Sequence, residues 1–234
     1  MKVGVIVTAH WSDSIRPNGN ILLKKFLESL YAECTYDFHV YIVDNESEFK
    51  LETPTEKCTY VRIDNQQEKG LTGAWNVGLN LAYGDGCDIL INCNDDLWFD
   101  ETINKFIDFI SLDNDVDVVY GPVTNGILSG RQLSKEPIPY VMDVKMNPSD
   151  FLGGFLFGFT KEHYKKFRYK KNEYFNQFNK HNGNDGKWGG QEGQWIENSE
   201  IGLRGKIVGH CFINHIKIRA WKKALQIERS QKMV

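Results

Sequence analysis

The sequence predicts a mostly parallel α/β sheet with helices on its faces and a smaller antiparallel piece in the second half. Three observations predict it. Val/Ile-rich runs of strand length alternate with helix-period segments through the first half. Three of those strands end in polar groups, Thr8-Ala9-His10, Asp44-Asn45 and Asn94-Asp95-Asp96, and ligands of such sheets bind outside the carboxyl ends of the strands. The second half breaks the alternation, with short apolar pieces set among Pro and Gly.

KVGVIVTAH (2–10) is the first strand, and GNILLKKFLESLYAEC (19–34) places Ile21, Leu22, Phe26 and Leu30 at helical spacing. DFHVYIVDN (37–45) and TYVRID (59–64) are strands. GLTGAWNVGLNLAYGDG (70–86) reads as a helix with Gly and Thr near its start and Gly after its end. CDILINCND (87–95) is a buried strand running into two adjacent carboxylates, followed by a helix in DETINKFIDFISL (100–112). DVVYGPV (117–123) is a further strand, residues 128–144 contain antiparallel pieces, and FLGGFLFGFTKEHYKKF (151–167) is a strand then a helix. Residues 176–190, rich in Asn and Gly, read as a long loop of the kind that is functional or mobile in a compact domain. EGQWIENSEIGLRG is expected to be a helix ending at Gly205, and KIVGHCFINHI the last strand.

At 234 residues the chain can bury a substantial core, and no repeat or linker divides it. A net charge of −3 gives no electrostatic reason for nucleic-acid binding. No window approaches the roughly 20 apolar residues of a membrane helix, and the N-terminus lacks a signal-peptide pattern. Five scattered cysteines without CxxC spacing favour reduced thiols in the cytoplasm. The tail beyond Ile216 is basic, either a solvated face or a peripheral contact with a membrane surface or acidic acceptor.

Asp95 and Asp96 are the chemical focus. An oxygen-rich pair at a strand tip suits Mg²⁺ or Mn²⁺ holding a diphosphate, and equally a turn cap. Glu192, after Trp-Gly-Gly, has the type of a general base or of an acid in a first helical turn. His215 ends an apolar strand, where a structural role competes with a ligating one. Gly70-Leu71-Thr72-Gly73 is neither a Walker loop nor GxGxxG.

Together these segments resemble the family-2-like glycosyltransferases of the GT-A fold, from about Lys2 to Ile216. The carriers are VGVIVTAHWSD, YIVDNES, the helix with Gly70, Ala74, Asn76 and Gly78, the DxD-type ILINCNDD, the Gly-Gly strand FLGGFLFGF, WGGQEGQW and GKIVGHCFINH. The resemblance implies one GT-A domain over 1–234, with a nucleotide-sugar half (1–110), an acceptor and catalytic half (111–216) and a basic helix or tail (217–234). It implies Thr8, His10, Asp44, Gly70, Asn76, Asn94, Asp95 and Gly154 about a nucleotide-diphosphate sugar, with Asp44 on the base and Asp95 on the ribose or metal shell. Asp96 and His215 are implied to hold the divalent cation, and Glu192 to be the base.

The implied reaction is an inverting, metal-dependent transfer to a hydroxyl of a glycan or glycoconjugate. Asn94 stands at the first acid of DxD, and Gln191-Glu192 replaces the family's Glu-Asp pair. The rival readings are a non-catalytic sugar-nucleotide or glycan-binding module, a retaining transferase, and a sugar-phosphate nucleotidyltransferase, whose Gly-rich basic loop is not found after the first strand.

Overall fold

A computed structural model describes residues 1–14, 16–54, 56–64, 66–126, 130–176 and 191–216, with backbone alone at 66–69, 130 and 191–192. The elements are β1 (Lys2–Ala9), α1 (Gly19–Glu33), β2 (Asp37–Asn45), β3 (Cys58–Ile63), α2 (Gln66–Gly84), β4 (Ile89–Asn94), β5 (Leu97–Trp98) and α3 (Thr102–Asp113). They continue with β6 (Val118–Thr124), β7 (Val141–Val144), β8 (Leu156–Thr160), α4 (Lys161–Phe167), α5 (Gln191–Ser199) and β9 (Arg204–His215).

One sheet runs β3-β2-β1-β4-β8-β6-β9-β5, with β7 on the side of β9. The first four strands of that order are mutually parallel. β8 inserts antiparallel between β4 and β6, and β7 and β5 are antiparallel to β9. The result is a mostly parallel sheet with a smaller antiparallel part, as the alternation of the first half and its loss in the second predict, and in keeping with the fold that the resemblance implies.

Side-chain alternation along the strands sorts the core into two layers. Val3, Val5 and Val7 of β1 face one way, onto Phe26 and Leu30 of α1 and Phe106 and Ile110 of α3. Ile6 faces the other, into a layer with Trp75 and Leu79 of α2, Tyr164 of α4 and Trp195 of α5. α1 buries Leu22, Phe26 and Leu30 as expected, with Leu23 and Leu27 added, while Ile21 is only half-buried. Truncating Phe26, fully buried, to alanine would cost about 3–5 kcal/mol. α2 lies close on the sheet because position 78 has no side chain: a Cβ there would fall 2.3 Å from Ile6 Cγ2.

Two expectations change. The helix expected to end at Gly205 ends at Ser199, because Gly202 takes φ +100 and turns the chain into β9, which already contains Gly205. β5, two residues long, was not anticipated; its pairing with β9 makes a strand of it. β9 itself is irregular: Pro122 pairs with Val208 but Val123 with Phe212, so β9 carries extra residues at Gly209–Cys211.

All five cysteines are free, and none of the described helices is long and apolar enough to cross a membrane. Residues 177–190, the side chain of Glu192 and the basic tail 217–234 lie outside the described residues.

Candidate active site

The polar strand ends meet. Thr8 is in register with Val43 and Asn94, and Ala9 with Asp44, so the tips of β2, β1 and β4 form one row. Asp95 and Asp96 follow in the turn between β4 and β5. The strand pair Leu97↔His215 and a hydrogen bond from Ile216 N to the Asp96 carbonyl at 2.8 Å then bring the end of β9 to the same place. His215 Nε2 lies 3.2 Å from Asp96 Oδ1.

The His215 ring is firmly set. Its backbone N–H donates to Asn125 Oδ1 at 2.9 Å, and the ring stacks on Phe155 with centroids 5.8 Å apart. Gly126 closes the other side, where a Cβ would lie 2.3 Å from Nδ1. Nδ1 is buried without a hydrogen-bond partner among the described residues.

Asp95 is 2% exposed and the Asp96 side chain 13%. Arg16, from the loop after β1, donates through Nη2 to Asp95 Oδ1 and lies 3.7 Å from Asp96 Oδ2. Burial pushes the Asp95 carboxyl above the usual carboxylate range, the Asp96 charge adds to this, and Arg16 opposes it. Burial pushes Asp96 upward too, but the His215 ring and Arg16 outweigh it and hold Asp96 below its ordinary value. Asp95 in turn raises the Arg16 pKa.

The donor set suits a hard divalent cation. Asp95 Oδ2 and Asp96 Oδ1 are buried and lack hydrogen-bond partners among the described residues. Two ligands about 2.1 Å from a metal and at right angles stand about 3 Å apart, close to the Asp96–His215 separation. The described residues assemble no group of three His, Cys, Asp or Glu side chains around one point. A cation here would have Asp96 and His215 as its protein donors, with phosphate oxygens and water left to complete the shell.

The remaining expected residues divide. Thr8 stands beside Asn94 with its hydroxyl buried and without a hydrogen-bond partner among the described residues. Asn94 N donates to the Phe155 carbonyl at 2.8 Å, which docks the Gly153-Gly154 segment on the tip of β4. Gly70 adopts φ 59 and breaks α2 near its start. Asp44, fully buried, accepts from Ser47 N at 2.9 Å and from the Tyr60 hydroxyl, and faces Arg62 Nη1 at 3.4 Å. Both nitrogens of His10 are engaged, with the Asn45 carbonyl and the Ser12 hydroxyl, each at 2.9 Å. Trp11 packs on Phe49, centroids 5.0 Å apart. Asn76 binds the backbone at 174–175 through its amide. Glu192 lies in the first turn of α5, its side chain beyond description.

Sequence reasoning did not single out Arg16, Asn125, Gly126 or Phe155. The signal for Arg16 is charge complementarity: a lone arginine in the loop after β1, where the neighbouring strand ends in two acids.

Residues 18–188 match glycosyl transferase family 2. Among solved structures, a crystal structure of S. aureus TarS 1–349 is similar over 92% of this chain, with a TM-score of 0.59 and 16% identity; this chain spans 60% of that one. A putative nucleotide-diphospho-sugar transferase from Desulfovibrio desulfuricans G20 aligns over 92% of this chain and 81% of its own, at a TM-score of 0.47 and 10% identity. No curated protein matches.

Proposed function

Since the chain belongs to glycosyl transferase family 2, we propose that it transfers a sugar from a nucleotide-diphosphate donor to an acceptor hydroxyl of a glycan or glycoconjugate, with inversion and in the presence of a divalent cation. The observation that carries the reading is the single row of Thr8, Asn94, Asp95 and Asp96 with His215 delivered beside it from β9.

In this proposal Thr8, Asp95 and the Gly154 segment flank the nucleoside and sugar, and Asp96 with His215 holds the cation. A bound cation supplies charge neutralisation of the leaving diphosphate. Glu192 takes the acceptor proton as the hydroxyl attacks the anomeric carbon from the face opposite the diphosphate. Asp44 acts at the base edge of the row, its carboxylate already fixed by Ser47 and Tyr60 and so oriented without further cost in order. The donor half is 1–110 and the acceptor half 111–216, and the reduced thiols favour a cytoplasmic setting.

A thermal-shift screen of nucleotide sugars with and without Mn²⁺, followed by assays of donor hydrolysis and transfer, tests the proposal. Stabilisation by at least one nucleotide diphosphate, enhanced by Mn²⁺, and product of inverted configuration by NMR are expected. Binding without turnover would favour the non-catalytic module, and no stabilisation by any nucleotide diphosphate would overturn the reading.

A further inference from the structure

Arg16 stands against the same two carboxylates that the donor-site reading gives to a cation. Its side chain is aimed by a closed loop: Ser12 N donates to the Arg16 carbonyl at 3.3 Å, Arg16 N to the Ser12 carbonyl at 3.2 Å, and Gly19 N to the Arg16 carbonyl at 3.0 Å. The guanidinium thus reaches across 79 positions of sequence to Asp95 from a fixed base. Its Nε and Asp95 Oδ2 are buried without hydrogen-bond partners among the described residues, and Asp96 Oδ1 has only the His215 ring, 3.2 Å away, beside it.

Two carboxylates this deeply buried need a positive charge near them, and a guanidinium does not lose its proton. We propose that Arg16 is the resident counter-cation of the Asp95–Asp96 pair and competes with the divalent cation for it. A cation held by Asp96 and His215 would stand within a few ångströms of the guanidinium. Like charges at that distance in a poorly solvated site repel strongly. Cation binding therefore requires the guanidinium to withdraw, and a diphosphate, which accepts well from the planar guanidinium fork, gives it a destination. Metal alone binds weakly, and metal with nucleotide diphosphate binds cooperatively, each relieving what opposes the other.

The inference rests on the donor-site reading, and the test separates the two. Mn²⁺ affinity of the full chain without nucleotide is measured by the EPR signal of the free ion for wild type, Arg16→Gln, Arg16→Lys and Arg16→Gln/Asp96→Asn. Arg16→Gln is expected to bind Mn²⁺ at least about tenfold more tightly than wild type, a conservative bound for removing one adjacent unit charge. Arg16→Lys, which keeps the charge, should stay near wild type, and the double variant should lose the gain.

Melting curves give a second readout: Arg16→Gln should melt below wild type without metal and gain more from Mn²⁺. Equal or weaker Mn²⁺ affinity in Arg16→Gln, equal tightening in Arg16→Lys, or a gain that survives Asp96→Asn would each overturn the proposal. If nucleotide diphosphates still stabilise wild type in those cases, the donor-site reading stands and only the competition falls. If neither Mn²⁺ nor any diphosphate binds any variant, both fall.

Discussion

The Asn76 carboxamide and the backbone of Phe175 pair in both directions: Nδ2 donates to the Phe175 carbonyl at 2.7 Å, and Oδ1 accepts the Phe175 N–H at 2.7 Å. Tyr174 N–H joins the same oxygen at 2.9 Å. One side chain of α2 thus imitates a neighbouring strand for a segment 98–99 positions later. Asn76→Ala would leave these buried backbone groups without partners and should lower unfolding free energy by about 2–4 kcal/mol in urea titrations. Asn76→Asp should fare no better, since a carboxylate has no proton for the Phe175 carbonyl. A loss below about 0.5 kcal/mol, the range of neutral surface changes, would show that the segment holds itself.

Gly126 sets the position of the His215 ring. In Gly126→Ala the new methyl would fall 2.3 Å from Nδ1, and the ring must leave its present position beside Asp96. Mn²⁺ affinity in the presence of nucleotide diphosphate should fall about tenfold, in keeping with losses on disturbing the support of a metal ligand. The melting temperature should change little. Calorimetric titration and a melt on the same sample test this; unaltered affinity would remove His215 from the cation site.

Glu192→Gln keeps the shape and removes the carboxylate proposed as base. Transfer should fall by at least about 10²-fold, the usual contribution of general-base catalysis, with donor affinity unchanged in a binding titration. Asp96→Asn should instead weaken binding of the donor with Mn²⁺. Wild-type turnover in Glu192→Gln would move the base elsewhere.

His163 gives the fold an acid limit. It is fully buried, with Nδ1 2.9 Å from the Val116 carbonyl and Nε2 2.6 Å from the Tyr174 hydroxyl, and burial lowers its pKa to about 3. The unfolded chain, titrating near pH 6.5, takes up the proton first as pH falls. The associated stability is therefore present above about pH 6.5 and lost progressively down to about pH 3, amounting to a few kcal/mol at about 1.4 kcal/mol per pH unit. His163→Phe should flatten the slope of unfolding free energy between about pH 6 and 4, although it costs stability at neutral pH by leaving the Val116 carbonyl and Tyr174 hydroxyl without a partner.

The strands and the row at their tips were legible because the information is local. DFHVYIVDN names its own bounds, and β2 indeed runs Asp37–Asn45. The end of α5 was not legible, because Gly202 and Gly205 are both plausible stops and only the backbone turn at Gly202 decides between them. The work of Asn76 was hidden for another reason: its partners lie in a different part of the chain, so no window contains both. His10 likewise reads as a free imidazole at a strand tip until Asn45 and Ser12 are seen to hold it. Arg16 lies between these cases, its type visible in sequence and its destination not.

The irregular stretch of β9 bears on how this protein tolerates changes in length. Neighbouring residues of a strand point to opposite sides, so the count of residues between Val208 and Phe212 has parity. Removing or adding one residue there would leave the pairing of Val118–Pro122 with Arg204–Val208 intact, yet present Ile216 or Asn214, respectively, in place of His215 to Asp96. The slip would also exchange the faces of Phe212 and Ile213, which pair with Val123 and Thr124, and the imidazole would face away. Within this fold, the number of residues in an apparently idle bulge is as much a part of the site as the histidine it aims.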